Sequence, residues 1–213
     1  RSGSTPWHPH HIAERYGLLT IIVLGEGILA IFLAFEATAD SGQRTTDLVL
    51  TGIAGVIIVC SLWWLYFSKP AATTMTRARL AFEGGSAGRA FLWGYGHYFI
   101  FASAAAVGAG MAAAVDLAGS DELTGGLAVA IPLAVFVSVV SFLPGLASAR
   151  AQVVTGLVSA GVLIAAAALG VPLIVLSLVI PAQLIVLAVL GRDATAEAGT
   201  GTGEQLRTGA APV

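Results

Sequence analysis

The chain has 213 residues, of which 57% are hydrophobic and only 10% charged, with a formal net charge of −2. A water-soluble domain of this length needs more charge to cover its surface, and no basic block is present to hold nucleic acid. The mean hydropathy of +0.89, with charges confined between long apolar runs, identifies an integral membrane protein instead.

Residues 1–10 read as a polar arm broken by Pro6 and Pro9, with Trp7 as an interfacial anchor. The chain starts at Arg1 with no signal peptide, so residues upstream are expected to be missing. A first span runs from about Ile12 to Thr38 and exceeds the hydrocarbon thickness, so it tilts or projects. A second, from about Asp47 to Phe67, ends in Trp63, Trp64, Tyr66 and Phe67, an aromatic belt. Lys69 and Pro70 stop it, and the connection over residues 69–90 has room for a short surface helix through Met75, Arg79 and Phe82. Cys60, the only cysteine, lies in the second span, so it makes no internal disulfide.

The third span covers about Phe91 to Leu117 and the fourth about Leu123 to Leu143, separated by Gly119-Ser120-Asp121-Glu122. The fifth and sixth cover about Ala151–Leu169 and Val171–Leu190, joined by a tight turn at Gly170 and Pro172. Residues 191–213 are small and polar and read as a disordered tail, leaving residues 11–190 as the transmembrane domain. In the third span Ala102, Ala106, Gly110 and Ala114, beside Ala104, Gly108 and Ala112, form stripes that let helix backbones approach closely.

No strand alternation appears, so the fold class is all-α: a polytopic bundle of about six spans in the lipid bilayer. Six spans put both termini on one side. That side collects Arg1, Arg15, Lys69, Arg77, Arg79, Arg89, Arg150, Arg192 and Arg207, against Arg44 on the other. The positive-inside rule makes that side the cytoplasm and the protein a multi-pass component of the cell membrane.

The polar residues within the spans are few. His11, Arg15, Ile22 and Glu26 share one stripe of the first helix, and Glu14 is within reach of His11. Glu26 lies deep in the run, about 16 Å along the axis from Arg15. An ionised carboxylate at that depth is costly, so Glu26 is expected to face protein or trapped water, or to hold a proton. The glycines of Gly25-Glu26-Gly27 serve either a local helix break or close packing. His97, near the start of the third span within a collar of Trp93, Tyr95 and Tyr98, is placed on the same side as His11, Glu14 and Arg15 and is expected to converge with them. Packing and snorkelling account for Glu14, Arg15 and His97 equally well. Glu36, Asp40, Asp47, Asp116, Asp121 and Glu122 fall on the opposite rim. His8, His10, His11 and Glu14 are metal-ligand types, but they lack a recognised spacing and Pro9 interrupts them, so no metal is expected. No phosphate loop, nucleophile elbow, HExxH pair or dinucleotide fingerprint occurs, so neither a cofactor nor a catalytic residue is assigned.

The stretch His11-x-x-Glu14-Arg15-x-Gly17-Leu18-Leu19-Thr20-Ile21-Ile22-x-Leu24-Gly25-Glu26 resembles the signature of the bacterial low temperature requirement A (LtrA) family. Leu62-Trp63-Trp64-Leu65-Tyr66-Phe67 and Tyr95-x-His97, preceded by Arg89, are similar in order and spacing. The likeness spans about residues 8–190. It implies a multispan membrane protein of which this chain is the C-terminal half, with an N-terminal set of helices as its partner. Gly27 stands where the family often has a small hydroxyl residue, and Ser68 where it often has Asp. The family name implies no biochemical activity.

Three functional readings follow. The first is a proton- or cation-coupled transporter, with Glu26 as the ion site and His11, Glu14, Arg15 and His97 lining the cytoplasmic mouth. The second is a structural or signalling bundle whose polar groups are paired for specificity. The third, disfavoured by the missing motifs, is an enzyme acting on a lipid or isoprenoid, with Glu14 and His97 in acid–base roles and Arg15 on a phosphate.

Overall fold

The computed structural model describes residues 9–39, 45–68, 87–118, 120–143 and 150–189. Residues 1–8 of the polar arm, the proposed surface helix after Lys69 and the C-terminal tail lie outside the described residues, as do the side chains before Glu14; the arm's last two residues, Pro9 and His10, open α1. Among the described residues every regular element is helical. They are α1 (Pro9–Ala39), α2 (Thr45–Phe67), α3 (Ala87–Asp116), α4 (Glu122–Phe142), α5 (Arg150–Ala168), α6 (Leu173–Leu176) and α7 (179–189). Four stretches are long and apolar enough to cross a membrane: Glu14–Glu36, Thr46–Phe67, Gly94–Asp116 and Glu122–Phe142. Gln152–Ala168 and Leu173–Val189 are shorter apolar segments, so the last two expected spans are the short ones.

Helix α3 is central, packing on α1 along one side and α4 along the other, while α5 packs on α4. Helix α2 lies against α1 and α3 and reaches α6, which also touches α5. Leu24, Ile58, Leu62, Ile100, Met111, Phe136, Leu163 and Ile180 belong to one continuous core.

Prolines and glycines account for the irregular points. Gly170, at φ 70°, closes α5; Val171 N–H returns to Ala166 C=O and Gly170 N–H to Ala167 C=O, each at 3.0 Å, the paired bonds of a Schellman end. The last span is not continuous as the sequence reading expects, because it turns at Ser177 and Leu178. Pro181 has no N–H for the Ser177 carbonyl and its ring crowds that carbonyl, so the ladder resumes one residue on, with Ala182 N–H on Leu178 C=O at 3.0 Å. Pro132 inside α4 likewise gives nothing to the Ala128 carbonyl.

Close crossings join the helices. A Cβ built on Gly108 of α3 falls 2.8 Å from Gly27 Cα of α1, and one on Gly110 overlaps the Ala128 carbonyl of α4. One on Gly156 of α5 overlaps Ser141 Oγ of α4. The expected small-residue stripe of α3 therefore divides by direction. Ala104 and Gly108 are buried, Gly110 and Ala114 are buried, and Ala102 and Ala106 are exposed.

The turn into α4 is capped by Asp121, whose carboxylate accepts from Thr124 N–H at 3.1 Å and Thr124 Oγ1 at 2.7 Å. Those two bonds hold its carboxyl below the usual aspartate range. A lowered folded-state pKa adds stability above the unfolded value and loses it as pH falls through the folded one. Melting temperatures of purified protein between pH 6 and pH 3 are expected to fall less steeply for Asp121→Asn, whose single amide oxygen still accepts the Thr124 N–H and does not titrate. Parallel slopes would show that this cap contributes nothing to acid sensitivity.

Candidate functional site

His97 is 5% exposed and lies where α1, α2 and α3 meet. Its ring stacks on Tyr16 of α1, with centroids 4.5 Å apart and planes 19° apart. Tyr66 of α2 meets it edge-on at 6.1 Å, and Phe101, one turn along α3, completes the shell at 6.0 Å. Thr20 is buried one turn after Tyr16. Its Oγ1 donates to the Tyr16 carbonyl at 2.8 Å, and its hydroxyl is also hydrogen-bonded to the Tyr66 phenol. Gly17 admits Phe67, whose ring lies 3.5 Å from a Cβ built there.

Helix spacing explains the assembly. Tyr16, Thr20, Leu24, Gly27 and Ile31 follow three- and four-residue steps on the inward face of α1. Leu24 and Ile31 join the core, Gly27 meets Gly108, and the same face delivers Tyr16 and Thr20 to His97. The first and third spans do touch, as the convergence argument requires. Their contact at this end includes Tyr16, and Glu14 and Arg15 beside it are exposed. His11 lies on α1, its side chain outside the described residues.

The collar around His97 is not the expected one. Tyr95 and Tyr98 are 63% and 67% exposed, so they point away from the junction, and Trp93 lies outside the described side chains. Tyr16, Tyr66 and Phe101 take their place. Trp63 and Trp64 are exposed, as a belt requires, while Tyr66 turns inward.

Glu26 also departs from expectation. It sits on the exposed face of α1 and does not join His97. Gly25 and Gly27 do not break the helix, which is continuous from Pro9 to Ala39; Gly27 serves close packing, and Gly25 is open. The reason is angular: the Arg15, Ile22 and Glu26 stripe is opposite the one that Tyr16, Thr20, Leu24 and Gly27 commit to the bundle.

Two further polar groups escape a motif search. Gln183 of α7 is 4% exposed, and both its amide atoms, with Ser141 Oγ, are buried without a hydrogen-bond partner among the described residues. The only sequence signal for Gln183 is an amide alone in an apolar run. At the other end of the bundle from His97, a cavity of about 100 Å³ is lined by residues including Asp47, Thr51, Glu122 and Pro172. Among the described residues no group of three or more His, Cys, Asp or Glu side chains is arranged to hold a metal. The arrangement encloses an imidazole between two tyrosine rings and Phe101, with Thr20 hydrogen-bonded to one of those tyrosines.

Comparison with known families matches residues 1–191 to the bacterial low temperature requirement A protein (LtrA). No curated protein and no solved structure matches the chain.

Proposed function

The chain belongs to the bacterial low temperature requirement A (LtrA) family, and we propose that it works as a proton- or cation-coupled transporter of a small solute. It would reside in the cell membrane with both termini in the cytoplasm. The observation that carries this reading is the enclosure of His97 at the three-helix junction. Tyr16 of α1 and Tyr66 of α2 both pack on the His97 ring, which ties any change at this imidazole to the packing of α1 and α2 on α3. Glu26 adds a second ionisable group at mid-span, where idle carboxyls are rare. In this scheme His97 exchanges its proton toward the Arg15 end of the bundle, and Glu26 carries one at the depth where a solute would cross.

Glu26→Gln tests the scheme. Full-length protein in vesicles with an internal pH dye is exposed to an inward proton gradient and a panel of amino acids, Na⁺ and K⁺. Wild-type protein is expected to acidify the lumen with one of these solutes, and Glu26→Gln to abolish that response while eluting as folded protein. Undiminished acidification by the variant would reject the carboxyl as the coupling site. A structural or signalling bundle is the second reading, favoured by the glycine crossings and by the packing of His97 itself. Full tolerance of Glu26→Leu in stability and growth would select it.

A further inference from the structure

Helix α1 is the least covered of the four membrane-length helices. Only 17% of its apolar window is buried, against 44–50% for α2, α3 and α4. Its outward residues are ordered. Arg15, Leu18, Ile22, Gly25, Leu29, Phe32 and Glu36 are all exposed and follow alternating steps of three and four residues. That is the 3.5-residue seam of a left-handed helix pair, with Arg15, Ile22, Leu29 and Glu36 at one core position and Leu18, Gly25 and Phe32 at the other. Glu26 borders the seam at its middle, twelve residues after Glu14 and ten before Glu36 in a span that runs Glu14–Glu36. Against lipid, that carboxyl would be among the most costly groups in the molecule.

We propose that this seam binds a second copy of the chain, α1 against α1, in a parallel pair about a two-fold axis along the membrane normal. The proposal rests on α1 geometry and does not depend on transport. Three features favour a second copy. In a parallel pair the seam residue Arg15 packs beside the residue before it on the other helix, so each Arg15 meets Glu14 of the second copy, twice by symmetry. Gly25 is the small residue at the centre of the seam, and a Cβ built there has no neighbour within 4 Å among the described residues. Its absent side chain exposes main chain to the opposing helix, where Glu26 of the second copy, which borders the same seam position, packs against it. The pair thus shields each carboxyl from lipid.

The test uses full-length protein in native membranes, with Cys60, exposed on α2, replaced by serine. Single cysteines are placed at Ile22 or Leu29 on the seam and at Val56 on the exposed face of α2. Copper-phenanthroline oxidation is expected to give a dimer-mass band from Ile22→Cys and Leu29→Cys but not from Val56→Cys. Adding Gly25→Leu, which fills the seam without touching its own bundle, is expected to reduce that band about tenfold. Adding Glu26→Gln is expected to preserve it. Absence of a dimer band from both seam cysteines overturns the proposal. Shielding of those cysteines from a lipid-soluble maleimide without a dimer band also overturns it, and means that a different helix occupies the seam. A band from all three positions overturns it as random collision.

Discussion

Gly110→Leu is expected to prevent the bundle from assembling. At this position even a single Cβ overlaps the Ala128 carbonyl and comes within 3.1 Å of the Val129 nitrogen, so the obstacle is backbone, which no rotamer change relieves. The carbonyl involved is the one that Pro132 leaves without an intrahelical donor. The hydrogen that glycine carries in place of Cβ is aimed at it, a weak Cα–H···O contact that only glycine permits. A larger residue therefore forces α3 from α4 along a contact that includes Met111, Ala114, Leu133 and Phe136. The overpacking cost is about 3 kcal/mol or more. Gly161→Ala is the control: a Cβ there meets nothing within 4 Å, and the change is expected to be neutral or slightly stabilising. Monodisperse elution and melting temperature in detergent read both variants. Equal behaviour of the two would show that the α3–α4 crossing relaxes freely.

The second large effect is expected at His97. Substitution by alanine removes a buried ring from contact with Tyr16, Tyr66 and Phe101 and leaves a cavity, costing about 2–3 kcal/mol. Substitution by phenylalanine restores a ring of similar breadth and the stacking on Tyr16, but removes both nitrogens. His97→Phe is therefore expected to melt near the wild-type temperature, with His97→Ala well below it. If His97 exchanges protons, His97→Phe also loses solute-driven acidification in vesicles despite its intact fold. Retained acidification would leave His97 as a packing residue. The pair of variants separates the two roles because they share the chemical loss and differ in the volume they leave.

Much of the fold is legible in the chain. Apolar runs bounded by Asp, Gly and Pro located the four membrane-length helices and α5, since hydrocarbon requires each run to satisfy its own backbone hydrogen bonds. Gly170 and Pro172 marked the turn between the last two expected spans because left-handed backbone and a missing N–H are local properties. The break at Ser177 was not anticipated, although Pro181, four residues on, is its local cause. The assignment to a membrane follows from composition alone.

The orientation of each helix was decided by tertiary packing. In water an amphipathic stripe shows which face is buried, but in lipid both faces of a span are apolar and that signal vanishes. So Glu26, deep in its run, was expected to face protein or trapped water or to hold a proton and is exposed, while His97, near the start of its span, is enclosed by three helices. Gly25 and Gly27 looked equivalent, yet Gly27 meets Gly108 and Gly25 meets nothing among the described residues. Tyr66 read as a belt residue beside Trp64, and only the meeting of α2 with α1 and α3 turned it toward His97. Length, class and turns were set by local chemistry and solvent. Which polar groups share a site was set by close approach of backbones at a few glycines, a relation between residues far apart in the chain.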